Sequence, residues 1–230
     1  MRSSTPDGRG REEHRGGLPA YPRVTPDCFD DALRTRARAN LARFERRAIP
    51  ADGRRPAAVA VVLLPDADRR ACFLLTRRAA SLRAHARQWA LPGGRIDAGE
   101  GAVAAALREL AEELGVTCGA ASVLGVLDDY GTRSGFIITP VVVWGGEDVV
   151  LAPNPDEVAS VHRVPLADLD RPEVPRFATI PESDRPMIQI PILSTLVHAP
   201  TAAVLYQLRE VVIHGRPTRV HDFEQPVWAW

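Results

Sequence analysis

The chain has no lysine. All 29 of its basic residues are arginine, and they balance 29 acidic residues, so the formal net charge at pH 7 is zero. That balance gives no bulk-charge support for a nucleic-acid or membrane-surface partner. Cysteine is scarce. Cys28, Cys72 and Cys118 are odd in number and far apart, which excludes a disulfide framework and any metal or redox spacing and fits a reducing cytoplasm. No apolar run approaches the ~20 residues that a membrane helix needs. The start, "MRSSTPDGRGREEHRGG", has no apolar centre of the kind a signal peptide carries. No internal repeat is present. The missing lysines and the many alanines read as the coding bias of a GC-rich genome.

What remains is the composition of an ordinary globular protein, in a chain long enough for one sizeable domain with additions. Residues 1–25 are rich in Gly, Pro, Arg and Ser with almost no large apolar residue, a composition that predicts disorder. A single domain is expected over 26–230. It begins with a helical extension at about 26–49, where Phe29, Leu33, Ala37, Leu41 and Phe44 fall at helical spacing. The runs "AAVAVVLL" and "ACFLLTRR", joined by "PDADRR", predict a hairpin, and "SVLGVLDDY" and "GFIITPVVVWG" predict a second pair of strands. Further strands are expected in "DEVASVHRV" and "MIQIPIL", and a helical turn in "LADL". The segment Thr201–Gly215 predicts a helix with Thr201 as its cap and Gly215 as its stop. The tail, with Phe223, Trp228 and Trp230, is expected to fold back and pack its aromatic rings into the core. The order of strands, helix, strands, helix argues an α/β fold with a mixed sheet and helices on its faces.

The stretch "LPGGRIDAGEGAVAAALRELAEELGV", Leu91–Val116, carries the chemistry. A helix here places Val103, Ala106, Leu107, Leu110 and Leu114 on one face. Glu109 and Glu113 then sit one turn apart on a flank, Glu112 lies nearly opposite that face, and Gly115 suits a left-handed end. Like charges at this spacing cost only a few tenths of a kcal/mol on a solvated face, roughly. The plain alternative is therefore an exposed acidic surface that Arg108 partly neutralises. The sharper reading is a Mg²⁺ or Mn²⁺ site, since hard divalent cations take oxygen ligands. The preceding turn supports it. Gly93, Gly94 and Gly99 stand where backbone must bend or approach a ligand closely.

These residues resemble the Nudix box at every defined position: Gly94, five residues, Glu100, seven residues, Arg108-Glu109, Leu110, one residue, Glu112-Glu113, one residue, Gly115 and Val116. The resemblance implies the Nudix fold, an α/β/α sandwich, and a metal-dependent pyrophosphohydrolase. It implies Glu109, Glu112 and Glu113 as metal ligands together with the Gly94 carbonyl. Arg108 would orient the glutamates, and Glu100 would brace the loop. Gly101 stands where many members carry Ser or Thr, which weakens the helix cap. The implied reaction is attack of water on a pyrophosphate phosphorus, with a carboxylate accepting the water's proton. Glu109 is one candidate base. Glu147, Asp148, Asp156 and Glu157 are candidates from later in the chain, although Glu157 reads first as a strand residue.

Upstream, Leu74, Leu75, Thr76, Arg78, Ala79, Arg83, Pro92, Gly93 and Gly94 resemble the signature of Nudix hydrolases that act on coenzyme A. Arg87 stands in place of a glycine of that signature, and Leu91 in place of a phenylalanine. Arg78 and Arg83 are the candidate substrate contacts, because the arginine fork grips phosphate in bidentate fashion. The alternative for both is a solvated strand end in an arginine-rich chain. The expected activity is hydrolysis of coenzyme A or acyl-CoA to 3′,5′-ADP and (acyl-)4′-phosphopantetheine. ADP-ribose or NADH is the alternative substrate, and a catalytically silent nucleotide-binding module is the alternative of another class. Homodimers are common in the family, and the N-terminal helix and the aromatic tail are where such a surface would lie.

Overall fold

The computed structural model describes residues 28–80 and 88–230. The disorder expected for residues 1–25, the candidate phosphate contact Arg83 and the departure at Arg87 lie outside the described residues.

Helix α1 spans Asp31–Arg43, shorter at both ends than its apolar spacing suggested. The Asp30 carboxylate caps it by accepting from the Leu33 amide at 2.8 Å, and Phe44 leaves the helical region at φ −82°, ψ 112°. Its stripe of Leu33, Ala37 and Leu41 is buried against the body.

Strand β1 (Arg55–Pro65) lies at the middle of a mixed sheet. Strand β2 (Ala71–Arg78) returns antiparallel beside it, so the expected hairpin is present. The short strands β3 (Trp89–Ala90) and β4 (Gly93–Arg95) pair with β2 and β1 respectively. Helix α2 (Ala102–Leu114) follows. Strands β5 (Val123–Val126) and β6 (Tyr130–Gly131) pair antiparallel with β7 (Phe136–Trp144). Strand β7 runs parallel to β1 from Arg55↔Phe136 to Leu63↔Trp144. Strand β8 (Val158–Pro165) pairs with β2, and the expected turn follows at Leu166–Asp170.

Alternation along the strands builds two cores. Val61, Leu63, Phe73, Leu75 and Val142 face α1 and the C-terminal helix. Ala60, Val62, Leu64, Leu74, Val141 and Val143 face Ala105, Ala106, Leu110 and Leu114 of α2. Strand β1 is thus buried on both sides, which is why its sequence shows no polar alternation. The result is the α/β/α sandwich expected.

A second, three-stranded antiparallel sheet contains β9 (Arg176–Ile180), β10 (Ser183–Ile192) and β11 (Thr195–His198). Helix α3 spans Thr201–Gln207 and continues as a π-helical stretch to Ile213, with Gly215 ending the segment at φ +66°. Thr201 is not the cap. Pro200 holds that position, and the Thr201 hydroxyl donates instead to the Trp89 carbonyl at 3.3 Å, tying α3 to β3.

The tail folds back, but its tryptophans do not enter the core. Phe223 packs against Phe177 and Tyr206, whereas Trp228 is 61% exposed and Trp230 42% exposed. The tail is held by its polar groups. Buried Glu224 accepts from Arg133 Nη2 at 2.5 Å and from the Ser183 hydroxyl at 2.8 Å. Gln225 accepts from the Arg133 amide at 2.7 Å. A short helical turn at Val227–Ala229 buries Ala229 and turns Trp228 outward. Among the described residues no helix is long and apolar enough to cross a membrane.

Candidate active site

The glycine turn is a strand laid on a strand. Gly93 pairs with Val59 and Gly94 with Ala58. A β-carbon on Gly93 would collide with the Ala58 carbonyl and the Val59 backbone, so only glycine allows β4 to lie this close to β1. A β-carbon on Gly94 would overlap the Glu109 carboxylate. The turn and the carboxylate helix are in direct contact through that one residue.

Arg108 organises the acids. Its Nε donates to Glu100 Oε1 at 3.0 Å, and its Nη1 donates to Glu109 Oε1 at 2.9 Å and to Glu112 Oε2 at 3.0 Å. Its Nη2 reaches the Arg95 carbonyl at 3.0 Å and Glu100 Oε2 at 3.1 Å. Glu100 also accepts from the Asp97 amide at 3.1 Å, so the loop is pinned to the helix. Hydrogen bonding from Arg108 holds the Glu100 carboxyl below its ordinary range, and its carboxylate partners raise the Arg108 guanidinium. Gly101 makes no side-chain cap, and Gly115 ends α2 at φ +69°. Gly99 adopts φ +84° in the loop.

The three box glutamates differ in surroundings. Glu112 is exposed, as its place away from the apolar face implied. Glu109 is half-buried, and burial raises its pKa against the lowering effect of Arg108. Glu113 is only 3% exposed. Burial pushes its carboxyl up to about 7, opposed by Arg78 and reinforced by Glu109 and Glu157. Arg78 Nη1 stands 3.8 Å from Glu113 Oε1, and the buried Arg78 Nε has no hydrogen-bond partner among the described residues.

The four later carboxylates separate clearly. Glu147 is exposed and forms an ion pair with Arg69 at 2.8 Å. Asp148 and Asp156 are exposed. Glu157 is not in a strand: it sits in the turn just before β8, where its carbonyl accepts from the Ala79 amide at 2.8 Å. Pairing of β8 with β2 carries it to the acidic helix, and its charge acts on both Glu109 and Glu113. Among the described residues no three acidic, His or Cys side chains stand together in a way that could hold a metal ion. Mg²⁺ does not need three, because it usually keeps waters and takes one or two carboxylates plus substrate phosphate oxygens. A deeply buried carboxylate beside a second one is the donor set such a cation suits.

A cavity of about 490 Å³ opens beside Gly93 and Gly94. Arg77, Arg78 and Arg95 line one part of it, and Trp89, Phe136, His198 and Trp228 supply aromatic surface. Sequence reasoning missed these aromatic residues. Trp89 was adjacent to the glycine turn and could have been flagged; His198 and Trp228 reach the cavity only through the second sheet and the tail.

Comparison with known proteins agrees with this geometry. The NUDIX domain profile matches residues 54–188, more than half of the chain. The chain belongs to the Nudix family. NudL of Cronobacter sakazakii, described as an uncharacterized Nudix hydrolase, is 45% identical over 97 residues, covering 42% of this chain and 50% of that protein. NudL of Escherichia coli K12 is 42% identical over 110 residues, covering 47% of this chain and 57% of that protein. The chain thus spans about half the length of the curated relatives it matches. The crystal structure of a MutT/nudix family protein from Enterococcus faecalis superposes with a TM-score of 0.52 at 17% identity, over 71% of this chain and 65% of that one, a likeness of fold.

Proposed function

We infer that this Nudix protein is a divalent-metal-dependent hydrolase of the pyrophosphate bond of coenzyme A or acyl-CoA. The observation that carries the reading is the contact of Glu109 with Gly94 and of Glu113 with Arg78, because Arg78, Gly93 and Gly94 also line the arginine-bearing cavity, although the glutamates themselves do not. The coenzyme A signature ending in that turn supports the substrate.

The cation would be held by Glu109, Glu113 and the Gly94 carbonyl, with waters and substrate phosphate oxygens completing the set, and Glu112, exposed and engaged by Arg108, would stand at its edge. When bound, Mg²⁺ or Mn²⁺ offsets phosphoryl charge and acidifies the attacking water. The chain's own groups do the rest. Arg78 lines the cavity and would grip a phosphate oxygen through its guanidinium, and Arg95 adds positive charge nearby. Arg108 fixes Glu109 and Glu112 in one arrangement. Water attacks one phosphorus, the bridging P–O bond breaks, and the displaced phosphate leaves as one product. The water's proton passes to a carboxylate. Glu109 and Glu157 are the two candidates we favour, since the charge of each acts on Glu113, whereas Glu147 is engaged with Arg69.

The test is turnover with Mg²⁺ or Mn²⁺ on coenzyme A, acetyl-CoA, ADP-ribose, NADH and a nucleoside triphosphate. Release of 3′,5′-ADP from the coenzyme A compounds, ahead of cleavage of the others, is expected. Preference for ADP-ribose or NADH would overturn the substrate, and inactivity on all five with both metals would favour a binding module. Comparing Glu109→Gln with Glu157→Gln on the pH–rate profile at saturating Mg²⁺ assigns the base: loss of the base removes the acidic limb with the Mg²⁺ requirement unchanged, whereas loss of a metal ligand raises that requirement.

A further inference from the structure

The cavity has two chemically unlike parts. Strands β2 and β4 bring Arg77, Arg78 and Arg95 to it. Strand β11, α3 and the tail bring Leu196, Val197, Ala199, Val204 and Trp228, with Thr195, Thr201 and Gln225 as uncharged polar neighbours and no arginine among them. His198 adds no charge there. The Gln189 side-chain Nε2, which only donates, lies 3.0 Å from His198 Nε2, so that ring nitrogen accepts. Burial further lowers the His198 pKa. The Trp228 ring meets the His198 ring edge-on, with centroids 5.4 Å apart.

Among the described residues, a phosphate brought against the β11 and tail wall would lose water without gaining a cationic partner. The phosphate-bearing half of a coenzyme A substrate therefore belongs with the arginines. The uncharged arm on the far side of its diphosphate is left for the apolar wall. Leu196 and Trp228, 36% and 61% exposed, are large apolar side chains open to solvent at this wall, and an apolar ligand would cover them.

We propose that β11 and the C-terminal tail form a subsite for the acylated, uncharged arm of an acyl-CoA substrate, with Trp228 as its specificity-determining residue. This rests on the coenzyme A reading and deepens it. The subsite makes longer acyl thioesters better substrates than free coenzyme A, because each added methylene that enters the apolar wall leaves water. Glu224 and Gln225, anchored on Arg133, fix the tail segment that presents Trp228.

The experiment measures kcat/KM of the full chain with Mg²⁺ on coenzyme A, acetyl-CoA and octanoyl-CoA, for the native protein and for Trp228→Ala and Leu196→Asp. A second readout titrates octanoyl-pantetheine, which lacks the nucleotide and diphosphate, against turnover of coenzyme A. The expected result is a preference for octanoyl-CoA over coenzyme A of at least about tenfold, carried mainly by KM. That ratio should fall at least threefold in either variant, with inhibition by octanoyl-pantetheine weakened in parallel. Coenzyme A and octanoyl-CoA cleaved equally well, with a ratio indifferent to both substitutions, overturns the subsite and leaves the coenzyme A reading standing. Cleavage of ADP-ribose or NADH but of no coenzyme A compound overturns both. Trp228 is largely exposed, so circular dichroism should show an unchanged fold for its variant.

Discussion

The α-carbon of Gly94 lies against the Glu109 carboxylate so closely that a β-carbon on residue 94 would overlap both carboxylate oxygens. The obstructing atoms are the far end of a flexible side chain, so the clash resolves by moving Glu109. Gly94→Ala is therefore expected to cost at least about 100-fold in turnover, the scale of losing one positioned charge-stabilising group. Its melting temperature should stay near that of the native protein. Gly93→Ala is the control in the other direction. Its β-carbon meets backbone of Ala58 and Val59, which cannot swing aside, and overpacking of this kind costs about 1–3 kcal/mol. Thermal melts and steady-state rates on the two variants separate these outcomes. A Gly94→Ala protein with native turnover would mean that the Glu109 position is not critical.

Glu113 is buried with its carboxyl raised to about 7. Between the ordinary carboxylate range and pH 7 the native state holds the proton more tightly than the unfolded chain does. Stability of the metal-free protein therefore falls as pH rises through that window. Each pKa unit corresponds to about 1.4 kcal/mol, so the effect is on the order of 3–4 kcal/mol at most. Glu113→Gln should be the more stable protein at pH 8 in EDTA, nearly equal to the native one at pH 4.5, and reduced at least about 100-fold in turnover. Added Mn²⁺ should raise the melting temperature of the native protein by mass action and leave Glu113→Gln almost unmoved. Equal stabilisation of both by Mn²⁺ would remove Glu113 from the metal site.

The box was legible because a helix turns fixed spacing into fixed neighbours: Arg108, Glu109 and Glu112 touch as their positions imply. The sheet was legible where strands were long and apolar, as β1, β2 and β7 are. Glu157 was read as a strand residue because "DEVASVHRV" alternates well. Its contribution depends on β8 pairing with β2, a relation between segments some 80 residues apart. The second sheet was half seen. "MIQIPIL" covers the second half of β10 and ends one residue into the following turn, but β9 and β11 are five and four residues long and carry no pattern of their own. That omission hid the apolar wall, since β11 supplies much of it. The sequence predicts the tail tryptophans in the core, yet the tail's buried anchors include Glu224 and Gln225, which a hydrophobicity pattern passes over.

Glu224 ties the tail to the β6–β7 turn through Arg133 and to β10 through Ser183. Hydrogen bonding from Arg133 holds its pKa down to about 2 against the effect of burial. Its contribution to stability is complete above the ordinary carboxylate range and is lost as pH falls toward 2. Glu224→Gln should lower stability at pH 7 by about 1–3 kcal/mol and flatten the acid limb of the stability curve. Urea unfolding at pH 7, 4 and 3 reads both effects. If the tail strap serves the cavity, the same variant should lose preference for octanoyl-CoA at pH 7, where the protein remains folded. Parallel unfolding curves for the two proteins down to pH 3 would mean that the pair contributes nothing to stability.

Arg108 serves four oxygen-bearing groups at once: Glu100, Glu109, Glu112 and the Arg95 carbonyl. Lysine keeps the charge but presents one ammonium on a flexible stem and cannot span that set. If the role of Arg108 were only to neutralise the glutamates, Arg108→Lys would be nearly silent. If its role is to fix their positions, turnover should fall about 10- to 100-fold, the usual scale for losing a residue that orients ligands. The Mg²⁺ concentration for half-maximal activity should rise with it. Glu100→Gln keeps the shape of one partner and removes its charge, so it should reproduce a small part of that loss. Rates measured across a Mg²⁺ titration for the two variants decide between neutralisation and positioning, because neutralisation alone predicts a larger effect for the lost carboxylate charge than for the lost fork.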